Sequence, residues 1–61
     1  MLVNFIFDDK ILVSKYVQIM PNNLDHVIIN QSSYKIVEKT TDFIVEDNDS
    51  YIVVNFILEK I

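Results

Sequence analysis

Sixty-one residues, 51% of them hydrophobic, with no glycine, no cysteine, no tryptophan and a single proline, leave room for one small domain (residues 1–61) and few chemistries. A chain of this length buries only about 60% of the surface its unfolded form exposes, so its stability alone is expected to be marginal. Without cysteine there is no disulfide framework and no thiolate nucleophile or zinc ligand, and without glycine no phosphate-cradling loop or dinucleotide fingerprint.

Five lysines (Lys10, Lys15, Lys35, Lys39, Lys60) stand against nine carboxylates, for a formal net charge of −4, and arginine is absent. Phosphate neutralisation supplies much of the affinity of nucleic-acid binders, and the bidentate guanidinium fork is missing, so direct nucleic-acid binding is disfavoured. The apolar stretches are all broken well short of the roughly 18 residues of a membrane span. Met1 to Phe7 is apolar but lacks a basic leader and a small-residue cleavage site, so no signal peptide and a cytoplasmic location are expected.

Ile and Val supply 18 of the 61 residues and Ala none. Branched side chains lose rotamer freedom in helices but pack well on a pleated surface. Period-two alternation, not a helical repeat, runs through the chain. The first strand is expected over Met1–Asp8, with Met1, Val3, Phe5 and Phe7 on one face. Asp8-Asp9-Lys10 breaks it, and a second strand from Ile11 to Met20 completes a hairpin with Asp8 and Asp9 in the turn. Pro21-Asn22-Asn23 ends that hairpin. A short strand follows at His26–Asn30, with a helix over Pro21–Ile28 as the competing local reading.

Asn30 to Ser33 reads as the next turn, and Tyr34 to about Val45 as a long strand. Its alternation changes phase near Glu38–Asp42, which implies a bulge or sharp bend. Glu46 to Ser50 is a surface turn. The last strand, Tyr51–Lys60, carries Ile52, Val54, Phe56 and Leu58 on one face. Five strands with short polar turns predict an all-β antiparallel meander closed into a small barrel.

The second faces are also partly apolar, at Leu2 and Ile6, at Leu12, Tyr16 and Met20, and at Val53 and Ile57. So small a domain has too little interior for both, and a contiguous patch points to a partner or a second copy. Leu12, Tyr16, Met20, Tyr51, Val53 and Ile57 are therefore the interface candidates.

Little in the chain suggests catalysis, and no catalytic residue, cofactor or metal ligand is assigned. His26 is the sole histidine; with no second His or Cys it makes a poor metal site, and no nucleophile accompanies it. Asp47-Asn48-Asp49 alternates oxygen ligands but lacks the glycine and distal glutamate of a calcium loop, so a turn is the better reading. Asp8 and Asp9, as neighbours, cannot share a proton like a catalytic dyad. Tyr16, Tyr34 and Tyr51 lack the positive surroundings of a base-stacking platform.

The stretch Pro21-Asn22-Asn23-Leu24-Asp25-His26-Val27-Ile28-Ile29-Asn30, followed by Tyr34-Lys35-Ile36-Val37, resembles small phage and mobile-element proteins of the pattern P-x-x-G-D-x-V-x-I-x-G-x-x-Y-x-V. Phe5-Ile6-Phe7-Asp8 fits their first strand. The resemblance covers most of the chain and implies an SH3-like barrel of phage or prophage origin, in the host cytoplasm, with no catalytic residues. The chain departs from the pattern at both glycines, with Leu24 at the first and Asn30 or Gln31 at the second. The expected function is a non-enzymatic module that binds a protein, as a host-protein inhibitor or virion component, through an apolar face or strand edge, and self-associates. The alternative is an acidic nucleic-acid mimic or nucleic-acid-linked regulator, built on Asp8, Asp9, Glu46, Asp47 and Asp49.

Overall fold

The computed structural model describes residues 1–18 and 25–61. They form five strands: β1 (Leu2–Phe7), β2 (Lys10–Tyr16), β3 (His26–Ile29), β4 (Ser32–Glu46) and β5 (Asp49–Lys60). No helix occurs among the described residues, and none is therefore long and apolar enough to cross a membrane. The helical reading of Pro21–Ile28 gives way to strand from His26 onward; its first four residues, like the expected end of the second strand at Ile19 and Met20, lie outside the described residues.

Each of the three hairpins turns through two residues, so the strands claim positions that composition alone assigns to turns. Asp8 (φ 53°) and Asp9 (φ 61°) join β1 to β2, and Asn30 (φ 49°) and Gln31 (φ 69°) join β3 to β4. Two successive left-handed residues make the type I′ turn, whose twist matches that of the strands. At the β4–β5 turn, Asp47 is left-handed (φ 46°). Aspartate and asparagine tolerate this region because their short polar side chains bond locally; Gln31 has no such excuse.

The strands form one curled mixed sheet, a half-barrel, in the order β2-β1-β5-β4-β3. The expected meander pairs β1–β2, β3–β4 and β4–β5 are present and antiparallel. The expected β2–β3 pair is not: these strands are the two edges of the sheet, and β1 pairs instead with β5, in parallel. Strand direction alternates along a meander, so the first and last of five strands run the same way and any seam between them must be parallel. Burial favours that seam, since it sets Val3 and Phe5 beside Val54 and Phe56.

Two bulges bend the sheet. Leu12 is the extra residue of β2, between the pairs Phe5–Val13 and Ile6–Ile11. Val37 is the extra residue of β4, between Ile36–Leu58 and Glu38–Ile57. The phase change expected near Glu38–Asp42 thus falls just before it, and such bulges increase local twist and curl.

Residues paired across strands share a face, so register divides the molecule in two. The inner, concave face holds Val3, Phe5 and Phe7 of β1, Val54, Phe56 and Leu58 of β5, and Tyr34 and Ile36 of β4. Val3, Tyr34, Val54, Phe56 and Leu58 are buried, and Val17, Val27 and Ile29 pack against them. Phe5 stacks on Phe56 with ring centroids 5.3 Å apart, and Phe7 meets Tyr34 at 5.2 Å with the rings tilted by 60°. Both separations lie in the favourable range for aromatic pairs.

Candidate interaction surface

On the outer face, polar side chains line up across four strands. Ser14 of β2 donates from Oγ to Oδ1 of Asn4 at 2.7 Å, and Asn4 donates from Nδ2 to Oδ1 of Asn55 at 3.0 Å. Asn55 in turn donates from Nδ2 to Oδ2 of Asp42 at 3.0 Å. The ladder exists because register places Asn4 opposite both Ser14 and Asn55. It satisfies Asn4, which is buried, and no buried side-chain polar atom lacks a partner among the described residues.

The ladder separates two apolar areas of that face. On one side lie Leu2, Tyr16, Tyr51 and Val53; on the other, Ile6, Ile11 and Ile57. Met1, Leu2, Tyr16, Tyr51 and Ile52 line an open groove of about 380 Å³. Tyr51 donates to Oε1 of Glu46 at 3.5 Å. The Glu46 charge, followed by partial desolvation, raises its phenol above the ordinary value of 10.0.

The interface candidates are thus scattered. Tyr16 is 78% exposed and shares the groove with the exposed Tyr51. Val53 lies on the same face but is only 7% exposed, so it supports the groove without presenting surface. Leu12 sits exposed at its bulge, Ile57 is half-buried beyond the ladder, and Met20 lies outside the described residues.

The acidic candidates also divide. Because β1 and β5 are parallel, the Asp8-Asp9 turn, at the end of β1, and Glu46, Asp47 and Asp49, at the start of β5, lie at opposite ends of a molecule 41 Å long. His26 is exposed and pairs with Lys35.

Two features escape the candidate residues altogether. One is an arm. β1 accompanies β5 only over Val53–Ile57, and β3 accompanies β4 only over Ser32–Lys35, with one more bond from Ile36 N–H to Asp25 O. Among the described residues, the hairpin from Phe43 to Ile52 is therefore two strands alone. Its inner face carries Phe43 (74% exposed), Val45 (75%) and Ile52, an apolar stripe continuous with the core face. The signal was present in the sequence as Phe43-Ile44-Val45 directly before an acidic turn.

The other is charge. Lys10, Lys15, Lys39 and Lys60 pair with Phe7, Val3, Phe56 and Tyr34, all inner-face residues. Glu38, Asp42, Glu46, Asp49 and Glu59 all fall on the outer face with Lys35. Within the strands the inner face is thus rimmed by lysine alone, with Asp25 opposite Ile36 just before β3, and the outer face is acidic.

Among known proteins, no family model, no curated protein and no solved structure matches the chain.

Proposed function

We propose that the chain is a non-enzymatic protein-interaction module that docks a protein through its apolar arm and open sheet edge. The observation that carries this reading is the exposed stripe of Phe43, Val45 and Ile52 on a two-stranded arm. Apolar stripes continuous with a core face are costly to leave in water, and unpaired edges accept a partner strand. The cyclic strand order is that of a small closed barrel with its β2–β3 seam open, which favours the SH3-like architecture. The sequence resemblance favours a phage or prophage setting in a host cytoplasm, as an inhibitor or an assembly component.

The test is retention of protein by immobilised wild type against Phe43→Ser and Ile52→Ser variants. A partner held by wild type and released by both variants supports the reading. Equal retention by all three sinks it.

A second reading, an acidic nucleic-acid mimic, draws on the five outer-face carboxylates. It requires binding that weakens steeply with salt and is abolished by reversing Asp47 and Asp49 to lysine, with Phe43→Ser harmless.

A further inference from the structure

We propose that the partner of the arm is a second copy of this chain, paired antiparallel along the free edge of β4 about a twofold axis at Phe43. The inference rests on the reading of the chain as an interaction module and names its occupant.

The surface itself asks for a cover. The chain exposes 4931 Å², whereas a compact monomer of its mass exposes about 4100 Å². The excess, about 800 Å², is the share one partner contributes to a standard interface. The radius of gyration, 12.4 Å, exceeds the roughly 10.5 Å of a compact domain of this length. The arm, whose Phe43 and Val45 are three-quarters exposed, contributes to the excess surface.

Of the arm's two edges, that of β4 is the longer. Among the described residues nothing pairs with the outer edge of β4 over Val37–Glu46, and β5 lacks a second neighbour only over Asp49–Ile52. In a two-residue hairpin the closing pair, here Glu46–Asp49, exchanges hydrogen bonds. Alternation then turns the amides of Val45, Phe43, Thr41 and Lys39 outward, where they can pair again.

Charge then selects the register. Two β4 edges keep their apolar faces together only when the axis falls on a residue, because a slip by one exchanges the faces. An axis at Asp42 sets Asp42 against its own copy and Glu38 against Glu46. An axis at Ile44 sets Asp42 against Glu46. An axis at Thr41 opposes no like charges but sets Glu46 and Asp47 against Ile36 and Lys35, where β3 and Asp25 already occupy the edge. With the axis at Phe43, the two Phe43 rings meet, Thr41 faces Val45, and Lys39 comes alongside the Asp47 turn. No like charges are opposed, and symmetry supplies the Lys39–Asp47 pair twice. Twofold pairing is also closed, so it ends at a dimer.

The test is sedimentation equilibrium of the full chain from micromolar to millimolar concentration, at low and high salt. Wild type, Lys39→Glu, Asp47→Lys and the double reversal are compared. One exposed ion pair changes affinity only a few-fold. Present twice, and turned from attraction to repulsion, it raises the dimer dissociation constant about tenfold in each single variant. The double reversal restores dimerisation, and added salt weakens the wild-type dimer.

The proposal is overturned by a wild type that stays monomeric to millimolar concentration, by a dimer indifferent to salt, or by a double variant no better than the singles. Should a reversed variant fail to fold, which circular dichroism reveals, the salt series on wild type decides alone. Monomeric protein that still retains a different protein through Phe43 overturns the pairing while leaving the module reading intact.

Discussion

Asn55 offers the sharpest test of how the half-barrel is held. It accepts from buried Asn4 and donates to Asp42, so Asn55→Ala breaks both bonds and strands the Asn4 amide. A neutral hydrogen bond contributes about 1 kcal/mol net, and an amide left unpaired in a buried position costs about 1 kcal/mol or more besides. The Asp42 bond is exposed and adds little, so the expected loss is about 2 kcal/mol. A chain of this length has a total stability on the order of 3–9 kcal/mol. The loss lowers Tm by about 8–16 °C, at the usual 4–8 °C per kcal/mol for so small a domain. Thermal and urea unfolding followed by circular dichroism read the change directly. Asn4→Leu combined with Asn55→Leu recovers most of the loss, because no buried group is then orphaned, and Ser14 and Asp42, which each lose a partner, are exposed and can bond water. A shift below about 2 °C for Asn55→Ala, under 0.5 kcal/mol, refutes the claim that the ladder holds β1 to β5.

Gln31→Gly is expected to stabilise the fold by roughly 0.5 kcal/mol, because it relieves a left-handed glutamine and leaves Asn-Gly, the preferred type I′ pair; urea midpoints measure it, and a lower midpoint contradicts the turn assignment. Phe56→Ala should cost about 3–5 kcal/mol, at least about a third of the total stability, whereas Phe43→Ala in dilute protein should stay within about 0.5 kcal/mol; equal effects would mean that the core and the arm are wrongly assigned. The Tyr51 phenol, raised chiefly by the Glu46 charge, should titrate above 10.0. The unfolded chain then releases this proton first, so the stability the group contributes is intact below pH 10 and lost as pH rises through the raised value. Tyrosinate absorbance should show Glu46→Gln bringing the titration back down, and an unmoved titration would remove Glu46 as the cause.

Most strand positions were legible because isoleucine and valine alternate with polar residues, and because each two-residue turn is built from Asp, Asn or Gln. The β1–β5 seam was not, since local alternation says nothing about which distant strands meet; it follows only from counting five alternating directions. The arm was missed for a related reason. Phe43, Val45 and Ile52 alternate like core residues, and only the short reach of β1 and β3 along their neighbours leaves them in water.

The segregation of charge depends on the two bulges, which is why numbering parity hides it. Lys10 and Lys15 have opposite parity, yet the extra residue Leu12 brings both to the inner face. Lys35 and Lys39 share parity, yet the extra residue Val37 puts them on opposite faces. Without that bulge, strict alternation from Tyr34 and Ile36 would carry Glu38, Asp42 and Glu46 to the core side. With it, they point outward, and Phe43 and Val45 continue the apolar face along the arm. One unpaired residue therefore does two things for β4. It helps to bend the sheet into a half-barrel, and it gives the arm an apolar inner face and an acidic outer one, the sidedness that the proposed pairing with a second copy would use.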